Sequence, residues 1–220
     1  MKRASMPYET IVLATRNTHK CDEIRTMLAA LPISVRDLRE FPQCPEVDED
    51  GETLEENALK KARVVSRFTG FPALADDTGL EVYYLLGEPG VYSARYAGPE
   101  ATYEDNNRKL LRRLTQVPER KRGARFRCVI ALAGATGERV FEGLVEGSIA
   151  FEPRGKNGFG YDPIFVPAGS TKTFAEMAPE EKNAVSHRGR ALAALKYYLE
   201  NLYHVSVRSH PPEPAGGRNA

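Results

Sequence analysis

Hydrophobic and polar residues follow two different periods along this chain. Short apolar runs bounded by polar residues are typical of buried strands, whereas apolar residues three or four positions apart are typical of amphipathic helices. The first pattern predicts strands at residues 10–14, 33–38, 71–77, 126–133 and 139–151. The second pattern predicts helices at residues 18–31, 53–68 and 102–114, and a last helix that begins after Ser186.

Residues at the ends of these segments support the assignment. Thr53 and Glu56 have the spacing of a capping box, and Ser186 is a residue type that caps helices. Gly134 and Gly137 lie between the last two predicted strands, where a hairpin needs its turn. Strands and helices alternate early and strands dominate the middle. We therefore expect an α/β fold with a mixed central β-sheet and flanking helices, not a clean doubly wound sheet.

The length of 220 residues is sufficient to bury a sizeable core, and we assign residues 1–204 to a single domain. Residues 205–220 form the predicted tail, whose sequence from Ser209 is rich in Pro, Gly and small or polar residues. Such a composition buries too little apolar surface to fold, so we expect this tail to be disordered.

Charge and cysteine content narrow the possible partners. Lys and Arg number 31 against 30 Asp and Glu, so the net charge of +1 attracts neither nucleic acid nor a membrane, and an anionic ligand needs a local cluster. No apolar run approaches membrane-spanning length, and the N-terminus lacks the apolar segment of a signal peptide. Three cysteines without a CxxC pair favour a reducing, cytoplasmic location over a disulfide framework or a zinc site.

The first candidate site lies where the first predicted strand meets the first helix. Its residues are Thr15, Arg16, Asn17, Thr18, His19 and Lys20. A helix N-terminus offers free backbone N–H groups and a positive dipole end to phosphate, and Lys20 adds a charge. The alternative is an ordinary strand-to-helix turn, which this segment alone favours because it contains no glycine motif.

Lys61 lies on the apolar stripe of the second predicted helix, seven residues after Leu54 and three after Ala58. A buried, unpaired ammonium group is unfavourable, so this lysine needs an anionic partner or a path to water. The spacing alone leaves both possibilities open.

Asp76 and Asp77 place two carboxylates at the predicted end of a strand, before Thr78 and a glycine. Such strand ends commonly line a cleft, where Mg²⁺ binds carboxylates together with substrate phosphates. Neighbouring strand residues point to opposite faces, so a regular strand presents only one of the pair to a metal. The acidic loop 46–50 is either a source of a further carboxylate or a solvated loop, and the two aspartates alternatively open a turn.

A glycine-rich aromatic loop is the candidate base pocket. Its residues are Gly158, Phe159, Gly160, Tyr161 and Asp162. Glycines beside an aromatic ring let a flat base approach closely, although a β-turn with two core aromatics has the same pattern. Lys182, His187 and Arg188 are candidates to read purine edges, and each has an ordinary surface or structural role as its alternative.

In this order, the segments resemble the inosine triphosphate pyrophosphatase family, the Ham1-like hydrolases of non-standard purine nucleotides. The matching stretches are ATRNTHK (14–20), GETLEENALKKA (51–62), ALADDTGLEV (73–82), PGVYSARYAG (89–98), GFGYDPIF (158–165) and TFAEMAPEEKNAVSHRGRAL (173–192). Each motif alone is weakly specific, whereas the ordered set, which spans the chain from Ile11 to Leu202, is very specific.

The resemblance implies a homodimer of mixed α/β subunits, each with two lobes around a nucleotide-binding cleft. It implies magnesium-dependent hydrolysis of ITP, dITP and XTP to the monophosphate and pyrophosphate, which keeps these bases out of DNA and RNA. By position, the residues that bind the triphosphate are Thr15, Arg16, Asn17, Thr18, His19, Lys20 and Lys61. Asp77 is the proton acceptor and a metal ligand, and Glu49 is the second metal ligand. The residues implied to bind the rest of the substrate are Thr78, Phe159, Gly160, Tyr161, Asp162, Lys182, His187 and Arg188.

Two positions depart from the family pattern, and one loop matches it poorly. Arg16 stands where relatives often have a smaller residue, so we expect a local difference in the phosphate-binding segment. Thr78 replaces the commoner serine but keeps the hydroxyl group. The acidic loop matches poorly, so Asp48 is the alternative to Glu49 as a metal ligand.

Two other functions compete with this one. A nucleic-acid-binding module would use a basic stretch to follow a phosphate backbone. That stretch comprises Arg108, Lys109, Arg112, Arg113, Arg120, Lys121, Arg122, Arg125 and Arg127. Its one aromatic residue, Phe126, is buried if strand alternation holds, so we favour a solvated surface and expect no nucleic-acid partner. The other competitor is a phosphatase that releases orthophosphate.

Overall fold

A computed structural model of the protein describes residues 8–209, with side chains described for residues 8–202. Within this range a seven-stranded mixed sheet carries helices on both faces. The strands are β1 Thr10–Leu13, β2 Ser34–Asp37, β3 Ala73–Val82, β4 Pro89–Gly90, β5 Gly123–Gly134, β6 Gly137–Ile149 and β7 Phe165–Pro167. The α-helices are α1 Thr18–Leu28, α2 Leu54–Thr69, α3 Tyr103–Arg113, α4 Pro179–Val185 and α5 His187–Ser209.

The strands of the sheet have the order β2-β1-β3-β5-β6-β7, and β4 pairs with β3 outside this path. β1 is parallel to both of its neighbours, whereas the pairs formed among β3 to β7 are antiparallel. The long strands β5 and β6 form a hairpin that closes at Gly134 and Gly137, as the sequence predicts. The predicted mixed α/β architecture is therefore confirmed.

Strand β3 separates two hydrophobic cores. Leu74 packs in a cluster with residues of α1 and α5, and Ala75 packs on the other face with residues of α2. Alternation along β3 then directs Asp76 toward α1 and α5, and Asp77 toward α2. The expectation that a regular strand separates the two carboxylates is confirmed.

A third core lies at the far ends of β3, β5 and β6, where α3 and β7 pack. Leu80, Leu110, Phe126 and Phe165 are all buried there. This core forms a second lobe, as the family resemblance implies. The middle of β3 passes from the first lobe to the second and forms the floor of the cleft between them.

Helices α2 and α5 begin where the sequence indicates. Thr53 Oγ1 accepts the Glu56 N–H at 3.1 Å, and Glu56 Oε2 accepts the Thr53 N–H at 3.2 Å, which is the predicted capping box. Gly70 ends α2 in a left-handed conformation. Ser186 Oγ accepts the Gly189 N–H at 3.0 Å and so caps α5.

Several features differ from the sequence prediction, including the short strands β4 and β7, which it does not contain. β3 does not end at Asp77 but continues to Val82, because its residues keep pairing with β5. α1 stops at Leu28, and the short helix α4 was not predicted. Residues 205–209, assigned above to the tail, continue α5, since the first helix-breaking residue beyond them is Pro211. The rest of the predicted tail, residues 210–220, lies outside the described residues.

In the part of the chain that the structure describes, no helix combines the length and apolar character that a membrane crossing requires.

Candidate active site

A cavity of about 260 Å³ lies between the two lobes, over the middle of β3. It collects most of the site residues that the sequence indicates, from segments far apart in the chain. Those that line it are Thr15, Asn17, Lys20, Glu49, Asp77, Thr78, Phe159, Gly160, Tyr161, Asp162, Lys182, His187 and Arg188. The predicted residues therefore converge on one cleft, with Tyr103 as an unpredicted member.

A smaller cavity of about 150 Å³ continues the cleft at one end. It shares Thr15, Lys20 and Glu49 with the larger cavity and adds Arg16 and Lys61. This arrangement concentrates cationic side chains at that end, which we call the cationic end of the cleft.

The start of α1 contributes to the cationic end. Asn17 Oδ1 accepts the Lys20 N–H at 3.3 Å, so Asn17 is the N-cap of α1. Arg16 donates to the carbonyl oxygen of Cys44 at 3.0 Å, so it fastens the neighbouring loop. His19 reaches the larger cavity only by stacking on a loop residue, Phe159, with ring centroids 5.3 Å apart. Thr18 is exposed and lines neither cavity.

Lys61 is 8% exposed, and its ammonium group lies among three oxygen atoms. Nζ donates to Glu49 Oε1 at 2.5 Å, to the Asp76 carbonyl oxygen at 2.8 Å and to Asp77 Oδ1 at 3.4 Å. Burial opposes its charge, but Asp77, Glu49 and Asp76 together raise the pKa of Lys61. Of the two possibilities that the sequence left open, the structure shows the anionic partner, and it comes from the protein itself.

Asp76 and Asp77 have different surroundings. Asp76 lies 3.1 Å from Lys20 Nζ and accepts from Arg188 Nη2 at 3.0 Å; burial disfavours its charge, but these cations hold the pKa of its carboxyl well below the usual range. Burial raises the pKa of Asp77 even though Lys61 opposes the change, and its Oδ2 has no hydrogen-bond partner among the described residues. A carboxylate with a free oxygen in a cleft is suited to act as a general base.

The glycine-rich loop places Phe159 at the opposite end, which we call the aromatic end of the cleft. Asp162 Oδ2 accepts the Phe159 N–H at 2.8 Å and Lys182 Nζ at 2.8 Å. Gly158 has a φ of +72°, and a Cβ there would collide with Asp162 Oδ2, so this turn requires glycine. Lys182 Nζ and Arg188 Cζ lie 4.9 Å and 5.4 Å from the centroid of the Phe159 ring.

The same loop is also held by the second lobe. Asn107 Nδ2 donates to the Gly160 carbonyl oxygen at 3.0 Å, and the Tyr161 hydroxyl donates to the Ser93 carbonyl oxygen at 2.9 Å. Tyr161 belongs to the third core, whereas Phe159 is half-buried and faces the cleft. One of the two loop aromatics is therefore structural, and the other lies at the surface of the cleft.

Arg188, which the sequence assigns to base recognition, is engaged by carboxylates. Its Nη1 donates to Glu23 Oε2 at 2.6 Å, and its Nε and Nη2 donate to Asp76 Oδ2 at 3.2 Å and 3.0 Å. Glu23 also accepts from Lys182 at 3.0 Å. Sequence reasoning missed Glu23, although its position three residues after Lys20 on one face of α1 is a usable signal.

His187 begins α5 and is buried at the aromatic end. Its ring stacks on Phe126 with centroids 4.4 Å apart, and its Nδ1 has no hydrogen-bond partner within the described residues. Burial, reinforced by the charges of Arg188 and Lys182, lowers its pKa well below 6.5, so the imidazole is neutral near neutral pH. A Cβ on Gly143 would collide with the His187 carbonyl oxygen, so glycine on β6 lets α5 approach this closely.

Most residues of the basic stretch that suggested nucleic-acid binding make local contacts. Arg122 is 1% exposed and donates only to main-chain carbonyl oxygens among the described residues. Others pair with carboxylates, as Arg108–Asp105, Arg113–Glu88, Arg125–Glu81 and Arg127–Glu142. These contacts give those residues a structural role.

The cleft defines a class of protein. Its cationic end and the N-terminus of α1 suit phosphate groups, and the Phe159 ring suits a flat base, which together describe a nucleotide-binding α/β protein. The chain belongs to the Ham1 family, whose family model matches residues 11–198. The resemblance inferred from the motifs is thus confirmed.

Relatives and solved structures agree with this membership. A dITP/XTP pyrophosphatase of Geobacter sulfurreducens is 55% identical over 190 residues, which cover 86% of this chain and 96% of the relative. One from Syntrophobacter fumaroxidans is 54% identical over 198 residues, covering 90% and 84%. A HAM1 protein structure from Coxiella burnetii has a TM-score of 0.80 at 46% identity, covering 87% of this chain and 98% of the other.

Proposed function

We propose that this protein hydrolyses the triphosphates of non-standard purines, ITP, dITP and XTP, to the nucleoside monophosphate and pyrophosphate. This activity removes such nucleotides from the pool and keeps their bases out of DNA and RNA. The observation that carries the proposal is the position of Asp77, a buried carboxylate of the cleft whose Oδ2 has no hydrogen-bond partner among the described residues. The pyrophosphatase names of the relatives give the reaction type.

Asp77 and Glu49 are the residues that would hold Mg²⁺. No ready-made cluster of three His, Cys, Asp or Glu ligands exists among the described residues. Magnesium, however, commonly uses one or two carboxylates and takes its other ligands from phosphates and water. The two carboxylates share Lys61, and Asp77 Oδ2 has no hydrogen-bond partner in the described part of the chain, which fits such a site. When bound, the ion would neutralise charge on the phosphate oxygens as a Lewis acid.

The residues of the cleft have different roles in the hydrolysis. Asp77 orients a water molecule and accepts its proton as the water oxygen attacks the α-phosphorus. The new P–O bond forms as the bond to the bridging oxygen of the β-phosphate breaks, and pyrophosphate carries away that electron pair. Lys20 and Lys61 stabilise the leaving group, and the N-terminus of α1 adds backbone N–H donors. No covalent enzyme intermediate is required.

Recognition of the six-oxo purine belongs to the aromatic end. Phe159 stacks on the base. Nδ1 of the neutral His187, which has no partner among the described residues, donates to the oxygen at position six when the ring proton is on that nitrogen. Adenine presents an amino donor there, and the tautomer with the proton on Nδ1 forms no hydrogen bond with it. Lys182 and Arg188 complete this end, held by Glu23.

We assign the protein to the cytoplasm as a homodimer. The cysteines of the described residues are all unpaired and buried, which suits a reducing compartment. Tyr83, Tyr84, Leu86 and Tyr92 are exposed together along one short segment, and Leu86 is 98% exposed. This apolar surface is suited to a second subunit. Sedimentation of the purified protein tests the assembly.

The decisive experiment is a panel of nucleoside triphosphates with the purified protein, with Mg²⁺ and with a chelator in its place. Pyrophosphate and orthophosphate are measured separately for ITP, dITP, XTP, ATP and GTP. We expect pyrophosphate from the first three, only when Mg²⁺ is present. Orthophosphate as the main product would instead identify a phosphatase and overturn the proposal.

A further inference from the structure

Tyr103 joins the two ends of the cleft. Its hydroxyl oxygen accepts from Asn17 Nδ2 at 3.1 Å, and its ring lies 6.1 Å from the ring of Phe159, tilted by 41°. Asn17 belongs to the segment assigned to phosphate, and Phe159 belongs to the loop assigned to the base. The side chain therefore stands between the two positions where the ends of a nucleotide would bind.

Both partners of this contact are fixed by local structure. Tyr103 is the first residue of α3, and the preceding Thr102 caps the helix by accepting the Asp105 N–H at 3.1 Å. Asn17 is held because its Oδ1 caps α1. A side chain placed by the end of a capped helix is well suited to define part of a binding site.

The Tyr103 hydroxyl can still donate one hydrogen bond. It accepts from Asn17, and no acceptor for its own proton occurs among the hydrogen bonds of the described residues. A phenol can donate and accept at once, so the proton is available to a ligand. The side chain is 42% exposed, and it lines the larger cavity.

In a nucleotide the sugar connects the base to the phosphates. We propose that Tyr103 binds the sugar of the nucleotide, its hydroxyl donating to a sugar hydroxyl oxygen, an assignment that rests on the proposed function. The ring closes the side of the cleft between Asn17 and Phe159. Tyr103 thereby lies between the phosphate-binding segment and the base-binding loop, where the sugar of the nucleotide would be.

The test removes one hydroxyl from the protein and, independently, the hydroxyls from the sugar. Tyr103→Phe and the parent are assayed with ITP and with the dideoxy form of inosine triphosphate. We expect Tyr103→Phe to raise KM for ITP about fivefold with little change in kcat, as befits one neutral hydrogen bond. With the dideoxy substrate the two proteins should have the same KM, because the sugar has no hydroxyl to accept the bond.

Tyr197→Phe is the matched control, because it removes a hydroxyl from an exposed tyrosine on α5 that is absent from the cleft lining. It should leave both values of KM unchanged. An equal rise for both substrates in Tyr103→Phe would show that Tyr103 only supports Asn17, and no rise for either would also overturn the sugar assignment. If the parent releases no pyrophosphate from ITP, the proposed function has failed instead.

A binding measurement tests the sugar assignment without relying on turnover, so its failure can be told apart from failure of the proposed function. The chain has no tryptophan, so Tyr103→Trp creates a single fluorescent reporter at this position. Inosine monophosphate should shift its emission and leave the emission of the control Tyr197→Trp unchanged. An unchanged Tyr103→Trp emission at concentrations where calorimetry shows inosine monophosphate bound to the parent would overturn the placement beside the sugar.

Discussion

The two ends of the cleft both contain buried ion pairs, but the pairs differ in how completely they are satisfied. At the aromatic end, Glu23 and Asp162 accept from Lys182, and Glu23 also accepts from Arg188. At the cationic end, Lys61 has to serve both Glu49 and Asp77, and Asp77 Oδ2 keeps no partner among the described residues.

This difference separates a rigid half of the site from a reactive half. A network whose donors and acceptors are matched holds its side chains in one arrangement, which suits recognition by shape. An incompletely matched cluster gains most from a ligand, because phosphates and a cation can satisfy the atoms that the protein leaves free. The unpartnered Asp77 at the cationic end should therefore respond to substitution mainly in turnover, whereas the paired groups of the aromatic end should respond mainly in affinity and stability.

Asp77→Asn should give the largest effect. Asparagine is nearly isosteric, but it lacks the negative charge and the basicity that the reaction needs. We expect kcat to fall by about a hundredfold or more, as for loss of a general base, with circular dichroism unchanged. Asp50→Asn, an exposed carboxylate that pairs with Lys60, is the matched control. Parent-like turnover in Asp77→Asn would remove this residue from the mechanism.

Lys61→Met tests whether the ion pairs of Lys61 stabilise the folded protein. If Lys61 were unpaired without ligand, an apolar residue of similar length would be neutral or mildly stabilising. Because Glu49 and Asp77 would instead face each other without their cation, we expect the free energy of unfolding to fall by about 3 kcal/mol. Urea denaturation measures the loss, and Lys60→Met on the same helix should change little. Unchanged stability would show that water replaces the ammonium group.

Glu23→Gln loosens the aromatic end while keeping a hydrogen-bond acceptor. We expect a loss of about 2 kcal/mol in unfolding free energy, since hydrogen bonds to two charged groups are weakened. KM for ITP should rise more than kcat falls, because Lys182 and Arg188 lose their fixed positions. Asp22→Asn, an exposed neighbour on α1, controls for the change of charge. A fall in kcat alone would move Glu23 to the reactive half.

The sequence predicts those features of the fold and of the site that depend on local patterns, and it misses those that depend on distant contacts. Periodicity and capping residues located β1, α2 and the β5–β6 hairpin, because the hydrophobic pattern and local chemistry agree there. The continuation of β3 was missed, since its pairing with β5 depends on residues far away in the chain. Motif order identified the residues that line the cleft. It did not identify Glu23 or Tyr103, whose roles arise from contacts that only the fold creates.

The smallest effect concerns acid stability and His187, whose pKa is lowered chiefly by burial and then by the charges of Arg188 and Lys182, with Asp76 opposing them. In the unfolded chain this histidine takes up a proton below about pH 6.5, whereas in the folded protein it stays neutral. Stability is therefore lost as pH falls below that value, because the unfolded state binds more protons.

His187→Phe keeps a ring between Phe126 and Phe174 but removes the titrating group. We expect the unfolding free energy of the variant to fall less than that of the parent, by up to about 1 kcal/mol, between about pH 7 and about pH 5.5. Above about pH 7.5 the two curves should run parallel, since histidine is neutral in both states there. Urea titrations across this range measure both slopes. Identical acid slopes would mean that His187 is protonated in the folded protein, and the aromatic end would then carry a charge that recognition of a neutral base does not need.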